Sequence, residues 1–223
     1  MKFSVKYIPT TLFSLKDSNS TNSGAKTLLL PSPYAIKMAI LNQAITVGGD
    51  LAELERRNSS YFKYIRDARI GFYIQNDSFF SVNNSFVKIL KRAREGGGFG
   101  QTVAFREYLY LSNALEIIFD VSSGEQKAYL KKYLHKINYF GKRGCFFQFA
   151  EYSDSPNEPN VAEFNIENML PGIMQEYDDF EQSATFDNAS SFSDKKAKRE
   201  KKIQVIPLSR ISSSKAFTVY KSI

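Results

Sequence analysis

Apolar and polar residues alternate with period two at the start of the chain, Phe3, Val5 and Tyr7 against Lys2, Ser4 and Lys6. That is the pattern of a half-buried strand. The polar stretch 17–26 (DSNSTNSGAK) reads as a loop. Ser32 and Pro33 then supply an N-cap and a proline for the first helical position. Tyr34, Met38, Leu41 and Ile45 follow at helical spacing, with Ile36 and Ile40 widening the stripe. Gly48 and Gly49 stop this helix, and Asp50 is placed to cap a second, more polar one running to about Arg66. Residues 69–75 (RIGFYIQ) return to a strand pattern. Farther on, Leu115, Ile117, Phe119 and Val121 alternate with Glu116 and Asp120. Ser123 opens a helix whose buried stripe is Leu130, Leu134 and Ile137, and Cys145 to Phe149 form a short apolar strand.

Between these elements lies 86–110 (FVKILKRAREGGGFGQTVAFREYLY), two β-prone arms meeting at a glycine-rich tip. With that hairpin set aside, the order is β-α-β-β-α-β, the ferredoxin-like plan shared with RNA-recognition modules. The expected fold is therefore α+β: a modified ferredoxin-like (RRM-like) domain over 1–150, a protruding basic hairpin at about 85–110, and a small β-rich C-terminal extension over 151–223.

The 223 residues, 43% of them hydrophobic, are enough to bury a real core. A net charge of +7 favours a polyanionic partner. A single cysteine, Cys145, excludes an intramolecular disulfide and fits a reducing compartment. No run approaches the roughly 20 apolar residues of a membrane span, and the N-terminus has no signal-peptide apolar block. A soluble cytoplasmic protein without a membrane partner is the expectation.

Charge is unevenly distributed. Lys88, Lys91, Arg92, Arg94 and Arg106 line the hairpin arms against Glu95 and Glu107 alone. Cations on both arms suit a phosphate chain, and Phe99, Phe105, Tyr108 and Tyr110 offer faces for stacked bases. A solvated hairpin with a mobile tip has the same composition. Residues 151–181 hold nine acids and no lysine or arginine, whereas 195–202 (KKAKREKK) reverse the sign. That basic run reads either as a tail gripping nucleic acid or as a flexible loop balancing the acids before it.

Four stretches together resemble the Cas-five family, which caps the 5′ end of the guide RNA in type I CRISPR (Cascade) complexes. They are the N-terminal strand, LLLPSPYAIKMAI (28–40), the hairpin with its exit FREYLYL (105–111), and INYFGKRGCFFQF (137–149). The likeness covers roughly 1–150; the last third matches no known pattern. It implies a binding subunit of the RAMP type, with a modified ferredoxin-like fold and a protruding thumb. Its implied partners are the guide's 5′ handle and the Cascade backbone and large subunits, with target DNA as a further candidate, and it serves defence or transposon-associated targeting.

The candidate RNA-binding residues are Lys37, Lys88, Lys91, Arg92, Arg94, Phe99, Arg106, Tyr108, Lys142 and Arg143. Lys37 is chosen because a phosphate near the start of a helix meets its positive dipole end. Lys142 and Arg143 sit between glycines, where exposed amides can form an anion nest. Tyr34 is expected in the core.

No cofactor or metal is expected, since no HExxH, Walker loop, GxSxG or Cys/His cluster occurs. Some Cas-five members cleave the guide precursor with tyrosine, lysine and histidine. Here His135, the one histidine, lies on a lysine-rich helix face beside Lys136, in the reverse order from the cleaving members' pair. A binding protein is expected, with a guide-processing endoribonuclease and a structural assembly protein as the alternatives.

Overall fold

The computed structural model describes residues 1–20, 24–92, 96–167 and 169–223. In chain order its elements are β1 (Lys2–Pro9), β2 (Leu15–Lys16), β3 (Gly24–Ala25), β4 (Thr27–Leu28), α1 (Pro33–Thr46), α2 (Leu51–Leu54), α3 (Ser60–Arg66), β5 (Arg69–Tyr73), β6 (Phe79–Arg92), β7 (Phe99–Leu111), β8 (Leu115–Asp120), α4 (Gly124–Leu134) and β9 (Phe147–Ser153). They continue with β10 (Ala162–Glu163), β11 (Ile173–Phe180), α5 (Phe186–Ala189), β12 (Arg199–Ile206), β13 (Leu208–Ser213) and β14 (Phe217–Ser222).

The central sheet runs β5-β8-β1-β9, every neighbour antiparallel. Taken from β9, this is the ferredoxin-like order in which the fourth strand lies beside the first, then the third, then the second. The periodicity explains the burial: Phe3, Val5 and Tyr7 lie fully inside, and Val5 pairs in register with Ile117. Tyr7 satisfies its hydroxyl by donating to the Leu134 carbonyl at 2.7 Å. Ser32 caps α1, its side chain accepting from the Ala35 N–H at 3.1 Å, and Ser123 caps α4 in the same way.

The second helix differs from expectation. It is split into α2 and α3, because Ser59 re-caps the chain by accepting from the Phe62 N–H at 3.1 Å. Asp50 makes no side-chain cap; its carboxylate instead accepts from the hydroxyl of Tyr129. The strand expected at 145–149 starts at Phe147 and extends to Ser153.

β6 and β7 form the expected hairpin, 14 and 13 residues long. At about 3.4 Å per residue such an arm reaches roughly 45 Å. Its root is held from an unexpected direction, since β14 adds to β6 from Phe217↔Asn83 to Lys221↔Phe79, and β13 adds to β14. β11 and β12 pair over eight positions. Residues 199–202, expected in a flexible loop, therefore belong to a strand. Tyr177, Phe180, Phe186, Ile206 and Leu208 join the same buried cluster as Phe3 and Ile117. Among the described residues no helix is long and apolar enough to cross a membrane.

Candidate nucleic-acid interface

In a β-ribbon successive side chains point to opposite faces, so the hairpin register sorts the candidates. Ser85↔Arg106, Asn83↔Tyr108 and Lys91↔Gly100 put Lys91, Arg106 and Tyr108 on one face, with Val87 and Ile89 beside them. Lys88↔Val103 and Arg92↔Phe99 put Lys88, Arg92 and Phe99 on the other. The ten candidates thus do not form one patch. Arg94 lies outside the described residues.

The Arg106 face walls a groove of about 520 Å³. Across it stands the turn Gly141-Lys142-Arg143-Gly144, and Leu12, Leu28, Ser32 and Ala35 are among the other lining residues. Gly141 and Gly144 both take positive φ (66° and 101°), which glycine adopts without strain. The turn is closed by the Cys145 N–H donating to the Lys142 carbonyl at 3.1 Å. Cys145 itself is buried, its Sγ 3.3 Å from the Ser14 carbonyl, and burial pushes its thiol pKa up. It anchors the turn, while Lys142 and Arg143 stay exposed. Arg106 is half-buried, with Nη1 donating to the Phe105 carbonyl at 2.7 Å. Tyr108 is also half-buried and stacks on no aromatic ring among the described residues. Cations on two walls, an aliphatic strip and an unstacked tyrosine suit a single strand whose phosphates follow the charges and whose bases meet the apolar wall.

The acidic segment sharpens this charge pattern. Glu151 pairs with Lys6, Glu158 with Lys2 and Asp154 with both Lys127 and Lys131, all within 2.9 Å. The two lysines hold the Asp154 carboxyl below its usual range by hydrogen bonding to it. On the paired strands β11 and β12, Asp178 meets Arg199 at 3.2 Å and Glu176 meets Lys201 at 2.8 Å. One of the two α4 lysine charges and the 199–202 run are thereby offset within the chain. Among the described residues, Lys88, Lys91, Arg92, Lys142 and Arg143 make no ion pair.

Lys37 leaves the candidate set. It is 2% exposed, with Nζ 2.7 Å from the Asp179 carboxylate and 2.7 Å from the Arg66 carbonyl. Helix periodicity turns it inward rather than toward the cap, so its ammonium is committed to the protein. Burial pushes the Lys37 pKa down and that of Asp179 up, each against the attraction of the other. Tyr34 packs between the Phe180 ring at 4.8 Å and the Arg199 guanidinium at 3.9 Å, half-buried rather than enclosed. His135 ends α4, its Nδ1 3.0 Å from the Lys131 carbonyl and its ring edge-on to Phe149. No group of three or more potential metal ligands occurs among the described residues.

Sequence reasoning missed Lys16, Val87 and Ile89 as groove residues. For Val87 and Ile89 the signal was available, since they share parity with Lys91 along β6. Lys16 precedes the polar loop 17–26, and no local pattern specifies where that end of the chain packs.

No protein-family model matches the chain, and no curated protein matches it. Among solved structures, the chain is similar to a CRISPR protein from Archaeoglobus fulgidus at 11% identity and a TM-score of 0.42, covering 100% of this chain and 92% of that one. It is also similar, at 10% identity and a TM-score of 0.40, to a chain in the type III-B Cmr-beta complex bound to cognate target RNA and AMPPnP, covering 99% of this chain and 86% of that one.

Proposed function

We propose that this chain is a non-catalytic RNA-binding subunit of a CRISPR complex of the Cascade type, holding the 5′ handle of the guide RNA in the groove between its hairpin and the 141–144 turn. The observation that carries the reading is the convergence of Arg106, Tyr108, Lys142 and Arg143 on that groove. These residues come from two of the four stretches that resemble the Cas-five family, 37 positions apart at their extremes. Lys88, Lys91, Arg92, Lys142 and Arg143 support it further, because these cations of the hairpin and the turn make no ion pair among the described residues. Phosphates tracking Lys142 and Arg143 place bases against Val87 and Ile89, with Tyr108 offering a stacking face.

The test is RNA crosslinking with mass spectrometry on the complex purified from its own operon. Crosslinks from 87–108 and 142–143 to the guide's 5′ end are expected. Crosslinks confined to other surfaces, or none to RNA, would overturn the assignment and leave the groove to protein assembly.

A further inference from the structure

The hairpin's other face carries an anomaly that RNA in the groove does not explain. Phe86, Leu90, Phe99 and Val103 all lie on it by register and are between 57% and 77% exposed. Contiguous apolar exposure of this kind marks a docking surface. RNA seated in the groove lies against the opposite face and leaves this apolar strip bare, so a second surface has to cover it. Lys88 and Arg92 are interleaved with the strip, which calls for a partner that is apolar and acidic.

The chain carries such a surface itself. Between β10 and β11 it exposes Ile166 and Met169 (77% and 72%), joined by Leu170 and by Met174 at the start of β11. Glu163 and Glu167 flank this patch, and 151–181 contain no lysine or arginine. Glu163 is partly compensated by Lys202 at 3.5 Å, whereas Glu167 makes no ion pair among the described residues. Flexible methionines adapt readily to an opposing aromatic surface.

We propose that unassembled copies of this chain associate head to tail, the cationic apolar face of one hairpin covering the surface that Glu163, Ile166, Glu167, Met169 and Met174 present on the next copy. Because the two patches differ, the contact is heterologous and each added copy leaves one patch of each kind open, giving open-ended oligomers. Association also hides the hairpin face until another subunit displaces it.

Sedimentation velocity on the nucleic-acid-free full-length chain tests this with two variants at exposed positions, L90D/F99D on the hairpin and I166K/M169K on the acidic segment. Wild-type mass is expected to grow with concentration, and each variant alone to stay monomeric. An equal mixture of the two is expected to stop at a dimer, since only one productive contact remains between them. A wild-type chain monomeric at every concentration, oligomers persisting in either variant alone, or a mixture that stays monomeric would each overturn the proposal.

Discussion

Replacing Lys142 and Arg143 by glutamine separates specific groove binding from the general attraction of a basic protein. Both side chains are exposed on the 141–144 turn and make no ion pair among the described residues, so each is available to a phosphate. For single strands each phosphate neutralised contributes about 0.7 to the slope of log affinity against log salt, so K142Q/R143Q lowers that slope by about 1.4. Over a fourfold rise in salt the wild type then loses about sevenfold more affinity than the variant. The control is K127Q/K131Q, which removes the same formal charge from α4, where Asp154 already holds both lysines at 2.9 and 2.7 Å. That variant should leave the slope nearly unchanged. The assay is fluorescence anisotropy of a labelled single-stranded RNA across a salt series. Equal loss of slope in both variants would refute the reasoning, because net charge and not position would then govern binding. An unchanged slope in K142Q/R143Q would remove the turn from the interface.

Three further outcomes are expected. Asp179→Ala strands the Lys37 ammonium in the interior and should cost about 3–5 kcal/mol in urea unfolding, as for other broken buried pairs; a loss under about 1 kcal/mol would mean that water reaches the lysine. The Tyr152 phenol is pushed up to about 12 by burial, so its folded pKa exceeds its unfolded value. Its contribution to stability is complete below about pH 10 and falls as pH rises toward 12, so Tyr152→Phe should flatten the alkaline decline in unfolding free energy, and an identical decline would contradict the assignment. Incubation of the chain with labelled guide precursor should yield no cleavage product with either His135 or His135→Ala; a product that disappears in the variant would establish a nuclease instead.

Much of the central sheet was legible because its signals are local. Alternation at Phe3, Val5 and Tyr7 and the caps at Ser32 and Ser123 each depend on neighbours a few residues away. The split after Leu54 was missed because Ser59 caps through geometry that a polar stretch does not announce. Lys37 was misread because dipole arguments concern helix ends, while its fate was decided by Asp179, 142 residues later. The hairpin was legible as a charged arm, but its residues were read as one set.

By itself the sequence determined the α+β element order, the cationic hairpin and the glycine turn, since periodicity, capping and glycine φ are properties of short segments. Only the tertiary structure decided which charges remain available. Pairing β11 with β12, and laying 151–158 beside β1 and α4, cancels most of the acidic and basic runs against each other. The same packing brings Lys142 and Arg143 against Arg106 and Tyr108. Coulomb energy depends on distance in space, and distances between residues far apart in the chain are set by strand register and sheet order, which no local pattern encodes.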